Sequence, residues 1–231
     1  RGTASTARFR ESLSSPQVDR AERGFSYHLD APLDMRFDPS HGPSAADLLA
    51  RVDEAELTRI LRDNADERYA ARIARAVIAA RPVTSTGRLA EVVAGAVPAP
   101  ARRRGHPARR TFQALRMEVN EELPRLDTAL TRAVDLLRPT GRLAVLTYHS
   151  GADRMVKATL RQGATGGCTC PPGLPCACGA EPTLDLLRPT SRTPSETELE
   201  QNPRARSARL RAAVKRPTAD DPSSHPQGAR P

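Results

Sequence analysis

An α/β fold carrying an all-helical insertion is what this sequence predicts, and two observations carry the prediction. The first is a local succession. A helical stripe runs up to Leu137, the turn Arg138-Pro-Thr-Gly-Arg142 follows, and Leu143-Ala-Val-Leu-Thr-Tyr148 is a short apolar run. Ser150 can then cap a helix through Met155, Val156 and Leu160. A helix, a turn, a buried parallel strand and a capped helix are the parts of an α/β unit. The second observation is that residues 44–107 have helical periodicity and no strand pattern, so they read as a helical insertion.

The elements follow in order. Residues 1–23 are polar, and no element is expected before Ser14. From Gly24 to Pro39 the breakers Pro32 and Pro39 rule out a helix. The closely spaced Phe25, Tyr27, Leu33, Met35 and Phe37 predict an ordered loop. Ser44 with Asp47 three residues on starts a helix whose stripe is Leu48, Leu49, Val52, Leu57, Ile60 and Leu61. Asn64 and Asp66 mark a turn. Tyr69, Ile73, Val77 and Ala80 form a second stripe, stopped by Pro82. Thr84 or Ser85 caps a third helix, which Pro98 and Pro100 end. Arg102-Arg-Arg-Gly-His106 is a basic loop. A fourth helix is expected over 108–123 and a fifth from Pro124 to Leu137. Residues 163–183 are rich in Gly, Pro and Cys. Leu184–Leu187 and Ala208–Val214 are late strands, and the composition after Lys215 predicts a disordered tail.

The 231 residues carry 36 basic against 27 acidic side chains, a net charge of +9. All but two of the basic residues, Lys157 and Lys215, are arginines. Such an excess points to a polyanion such as nucleic acid, or to a coding sequence biased toward GC. Aromatic residues are 3% and Trp is absent, which argues against an extended base-stacking platform. No apolar run reaches the roughly 18 residues of a membrane span, and no hydrophobic stretch follows the N-terminus. The expectation is a soluble cytoplasmic protein. The chain opens on Arg1 and its first methionine is Met35, which suggests a piece of a longer chain.

Five groups of residues could carry chemistry. Asp30-Ala-Pro-Leu-Asp-Met-Arg-Phe-Asp38 sets Asp34, Asp38 and Arg36 in a proline-braced loop, either a polar site or a surface turn. His149 follows the apolar strand, and ligands sit at the carboxyl ends of strands in doubly wound sheets. Arg109, Gln113 and Arg116 fall near one helix face at spacings of four and three, suited to phosphate or base contacts or simply solvated. Asn202-Pro-Arg-Ala-Arg-Ser-Ala-Arg-Leu-Arg211 offers Arg204 and Arg206 to RNA phosphate, or is an exposed strand edge. Cys168, Cys170, Cys176 and Cys178 form C-x-C-x5-C-x-C, either a tetrahedral Zn site or reduced thiols on a loop.

Together these segments resemble the MraW (RsmH) family. The resemblance is carried by Ser14-Ser-Pro-Gln17, Asp19-Arg-Ala-Glu-Arg-Gly-Phe-Ser26, Pro32-Leu-Asp-Met-Arg36 and His106-Pro-Ala-Arg-Arg-Thr-Phe-Gln-Ala-Leu-Arg116. Val119-Asn120, Tyr148-His149-Ser150, Asp153-Arg154 and Asn202-Pro-Arg-Ala-Arg-Ser207 complete it, in order, over about 14–215. The arginine bias and the cysteine insert look actinobacterial.

What the resemblance implies is a class I, Rossmann-like methyltransferase with a helical insertion that helps recognise substrate. It would use S-adenosylmethionine to methylate N4 of a decoding-centre cytidine in 16S rRNA of the small ribosomal subunit. Residues 1–43 would then be part of the methyltransferase domain, 44–107 the insertion, 108–216 the rest of the domain and 217–231 a tail. Gln17 would touch the cofactor. Asp34 or Asp38 would accept the N4 proton, with Arg36 and His149 as orienters. The family's Gly-rich turn and following acid would precede Arg1. Where the family has Asp-Leu-Gly-Val stands Arg10-Glu-Ser-Leu13, and Gly151-Ala152-Asp153-Arg154 lacks one family acid. Without earlier strands, the strand at 143–148 would show an unpaired edge, and the cofactor would bind poorly. The sequence thus leaves two readings, an RNA methyltransferase or an inactive RNA-binding remnant of one.

Overall fold

The computed structural model describes residues 4–10, 20–103, 105–171 and 177–217. Gln17, Cys176 and most of the expected tail lie outside the described residues. The chain divides into two compact units, residues 13–123 and the segments on either side of them.

The first unit is helical. Its elements are α1 (Ala45–Arg51), α2 (Glu54–Ala65), α3 (Ala70–Ala79), α4 (Thr86–Ala96), α5 (Ala99–Arg102) and α6 (Arg109–Val119). Ser44 and Asp47 form a reciprocal capping box at α1. The stripe from Leu48 to Leu61 is two helices rather than one, because the Asp53 side chain accepts from the Glu56 amide and starts α2 afresh. Asp66 ends α2 in the left-handed conformation. Ser85 rather than Thr84 caps α4, accepting from the Arg88 amide. Pro98 and Pro100 do not simply end a helix; they flank the start of the short α5, where a missing N–H costs nothing.

Leu49, Leu57, Ile60, Leu61, Ile73, Val77, Leu89 and Val93 are buried in one core. Residues outside 44–107 complete it, with Leu33 and Met35 from the preceding loop and Phe112 and Leu115 from α6. The compact unit is therefore wider than the periodic block. A stripe in sequence shows which face of a helix needs cover, not which distant segment supplies it.

The second unit holds a four-stranded sheet in the order β1-β2-β4-β3. The strands are β1 (Ala4–Arg10), β2 (Leu137–Thr147), β3 (Leu184–Leu186) and β4 (Arg209–Lys215). Its helices are α7 (Glu122–Leu136), α8 (Ser150–Thr165) and α9 (Glu196–Gln201). This is a mixed α/β architecture, as expected. β1 is a strand that sequence reading missed, as it missed the short helices α5 and α9. Its polar Ala-Ser-Thr-Ala-Arg stretch has no apolar alternation, and it becomes a strand by pairing parallel to β2, Ala7 beside Leu143. β4 pairs antiparallel on the other side of β2, Ala213 beside Leu143. The expected unpaired edge at 143–148 is thus absent, since β2 is hydrogen-bonded on both sides. The expected turn at 138–142 is incorporated into β2, with a register shift opposite Ala4–Thr6 and Thr140 at a φ of 63°. Helix α7 begins two residues before Pro124, which its first turn tolerates.

Candidate active site and nucleic-acid interface

The loop from Gly24 to Asp38 is built against its own core. Gly24 has a φ of +69°, and a Cβ there would lie 2.5 Å from the Pro32 carbonyl oxygen. Only glycine allows that approach. Met35 is fully buried with a φ of 62°, a left-handed conformation that costs a non-glycine residue energy. Asn120 at the end of α6 compensates. Its Nδ2 donates to the Met35 carbonyl at 2.7 Å and to the Arg116 carbonyl at 2.8 Å. Its Oδ1 accepts from the Phe37 amide at 2.6 Å. Arg23 donates to the carbonyls of Arg36 and Phe37 from the other side.

This frame aims Asp34 and Arg36 at each other. The Arg36 guanidinium forks onto Asp34, Nε to Oδ1 at 2.8 Å and Nη2 to Oδ2 at 2.7 Å, with both side chains about three-quarters covered. The fork holds the Asp34 carboxyl below the usual carboxylate range and raises Arg36. Asp38 is different. It is exposed and bonds only locally, to the Ser40 amide and hydroxyl and to the His41 ring. These bonds, Ser40's first, draw its pKa down to about 2.

A second feature of the helical unit lies around His106. Its ring stacks on Tyr27 at 4.2 Å between centroids, and Tyr27 meets the Phe112 ring edge-on. Burial, and then His28, push the His106 pKa down. Beside it is a cavity of about 530 Å3 lined by Arg68, Tyr69, His106, Arg109 and Arg110 among others. Periodicity could not have found this cluster, because Tyr27 and His106 are far apart in sequence. The signal available was an aromatic pair in a loop and a His-Pro step at the head of a basic helix.

The expected arginine face of α6 divides. Arg109 is exposed on the cavity. Gln113 makes a long contact of 3.8 Å to the Met117 sulfur. Arg116 instead forks onto Glu122, at 2.6 and 2.9 Å, and the Glu122 side chain is only 8% exposed. Its charge is answered within the protein.

In the sheet unit, β1 and β2 run the same way with Arg10 beside Leu146, so both carboxyl ends open at one edge. His149 stands just past that edge. It, and not Ser150, is the N-cap of α8, its Nδ1 accepting from the Ala152 amide at 3.1 Å. A ring accepting at Nδ1 carries its proton on Nε2. Asp153, one turn into α8, receives both arms of Arg211 at 2.7 and 2.9 Å, an ion pair that raises Arg211. Arg204 and Arg206 are exposed on the turn before β4. Cys168, Cys170 and Cys178 converge, while Cys176 lies outside the described residues. No helix among the described residues is long and apolar enough to cross a membrane.

A sheet with parallel β1 and β2 and antiparallel β3 and β4, accompanied by helices, defines a mixed α/β protein. The profile of the MraW methylase family matches residues 12–216, and the chain belongs to that family. It is 51% identical over 211 residues to the ribosomal RNA small subunit methyltransferase H of Symbiobacterium thermophilum, covering 88% of this chain and 65% of that protein. The protein of the same name from Heliobacterium modesticaldum is 49% identical, with 88% and 66% covered. That from Beutenbergia cavernae is 51% identical, with 95% and 66% covered. The chain therefore spans just under two thirds of the length of these relatives.

Proposed function

We propose that this chain is part of an enzyme that methylates the exocyclic N4 of a decoding-centre cytidine in 16S rRNA, acting on the small ribosomal subunit in the cytoplasm. Similarity at about half identity to proteins named ribosomal RNA small subunit methyltransferase H supports the class. The observation that carries the chemistry is the Asp34–Arg36 fork on a loop braced by Asn120.

The amine of cytosine is a weak nucleophile because its lone pair is delocalised into the ring. A carboxylate that accepts one N4 proton localises that pair, and a fixed carboxylate does so without reorganising. Asp34 is the acceptor in this reading, and Asp38 the alternative that the test separates. Arg36 keeps Asp34 ionised and oriented. The base must leave its stack to reach such a group.

The carboxyl ends of the parallel pair β1 and β2 lie at one edge, and nucleotides bind at such edges in doubly wound sheets. Gln17, which the family resemblance assigns to the cofactor, would contact S-adenosylmethionine, and His149 at the head of α8 would orient the reacting groups. When bound, the cofactor supplies an electrophilic methyl group. Arg109, Gln113, Arg204 and Arg206 face RNA in this reading, with Arg68 and Arg110 added by the cavity.

The test uses a full-length family member, small subunits and labelled S-adenosylmethionine. Changing the residue equivalent to Asp34 to Asn should lower the rate constant roughly 10²–10⁴-fold and leave RNA affinity within about threefold. Loss that follows Asp38→Asn instead moves the acceptor to Asp38. Equal losses of rate and affinity for Asp34→Asn would reassign Asp34 to structure.

A further inference from the structure

The cysteine loop has no part in the reading above, yet its geometry is specific. The sulfurs of Cys168, Cys170 and Cys178 all lie within 4.8 Å of one another. Three thiolates of a tetrahedral Zn site, each at about 2.3 Å from the metal, stand roughly 3.8 Å apart. The upper bound of 4.8 Å admits that spacing, and none of the three is in a disulfide.

The loop's two ends are pinned together independently of the sulfurs. Helix α8 ends on Gly166, whose φ is +62° and where a Cβ would lie 2.6–2.8 Å from backbone atoms of Glu181. The Thr183 amide donates to the Gly163 carbonyl at 2.8 Å. The outgoing limb, with Cys168 and Cys170, therefore leaves from the same place to which the limb with Cys178 returns. The turn into the outgoing limb is closed by the Gly167 amide on Gln162 and the Cys168 amide on Thr165. At the far end, the Ala177 and Cys178 amides bond toward the Cys170 sulfur.

From the convergence of these three sulfurs on a loop closed at Gly166, we infer that Cys168, Cys170 and Cys178 bind one Zn²⁺ ion that staples the end of α8 to the approach to β3. Soft sulfur donors select Zn²⁺ over the hard cations Mg²⁺ and Ca²⁺. Three thiolates leave one coordination position for a further donor. The site is structural: it replaces mutual repulsion of thiolates by shared coordination and ties the limb carrying Cys168 and Cys170 to the limb carrying Cys178. Binding releases the thiol protons and involves no oxidation or reduction.

The whole chain, purified without chelator, should contain about one Zn²⁺ per molecule. Titrating the metal-free chain anaerobically with Co²⁺ should produce the strong near-ultraviolet absorption of thiolate-to-cobalt charge transfer, saturating at about one equivalent. Cys168→Ser, Cys170→Ser and Cys178→Ser should each bind less than about a tenth as much metal under the same conditions. Chelator should lower the melting temperature of the unaltered chain to that of Cys170→Ser and leave Cys170→Ser unmoved. Should the variants fail to fold, thiol alkylation of the unaltered chain decides, because Zn²⁺ should protect three cysteines and chelator should expose them. Less than about a tenth of an equivalent of Co²⁺ bound by the intact chain, metal fully retained in all three variants, or a disulfide among these residues in freshly purified protein would each overturn the site.

Discussion

Asp34 and Asp38 lie four residues apart in one loop, and they are held in opposite ways. Asp34 is mostly covered and gripped by a guanidinium, and its backbone frame is fastened from Asn120, more than eighty residues on. Asp38 is exposed and held by its immediate neighbours Ser40 and His41. Both carboxyls titrate below the usual range, so acidity alone does not tell them apart. What differs is whether the group's direction depends on the rest of the unit. A local turn keeps its shape in any context, whereas the direction of Asp34 exists only once α6 is packed.

The sharpest way to break this contrast is to cut the brace. Asn120→Ala leaves the buried Met35 carbonyl and the part-buried Phe37 amide without this partner, while the Arg116 carbonyl keeps the backbone amide of residue 120. It should cost about 2–4 kcal/mol in chemical denaturation. Amide exchange should accelerate around Met35 while the local turn at Ser40 is unaffected. A loss well under about 1 kcal/mol would mean that the loop is held by its apolar contacts alone.

Next in size is the arginine pair on α6. Arg116→Ala strands the nearly buried Glu122 and should cost about 1–3 kcal/mol of stability. Arg109→Ala should leave stability within about 0.5 kcal/mol. It should instead reduce the slope of log affinity against log salt for a small-subunit rRNA fragment by about 0.9. If Arg116→Ala flattened the salt slope and Arg109→Ala did not, the cavity would not be the RNA-facing side.

The smallest effect is that of pH. Burial lowers the His106 pKa, so the unfolded chain takes up a proton first as pH falls through about 6.5. Stability should therefore drop as pH falls from 7 toward His106's own folded value, and be flat above. The difference in melting temperature between the unaltered chain and His106→Gln should change over that window. A constant difference from pH 5 to 7.5 would mean that the contacts of the His106 ring with Tyr27 and His28 do not shift its titration. The carboxylates act in another window. Asp34 and Asp38 have lowered pKa values, so their contribution is complete above about pH 4 and is lost in stronger acid.

Much of the fold is legible in the residues themselves, and for one reason. Helix caps and periodic stripes are local, and Ser44, Ser85 and the runs at 143–147 and 209–214 announce themselves within a few residues. β1 does not, because its strand character comes from a partner more than a hundred residues away. His149 caps α8 through a ring nitrogen, a role that residue preferences assign to Ser150.

The site divides along the same line. Residue order alone settles which chemical groups are available: the carboxylates and arginine of the 30–38 loop, the basic head of α6, the histidine after a strand and four cysteines in eleven residues. Which of them act on each other was settled by packing. Arg36 turned to Asp34 and Arg116 to Glu122, Tyr27 stacked on His106, and three thiols met across a closed loop. The difference is one of range. Charge and periodicity are properties of a segment, but the direction of a side chain is set by contacts made across the fold.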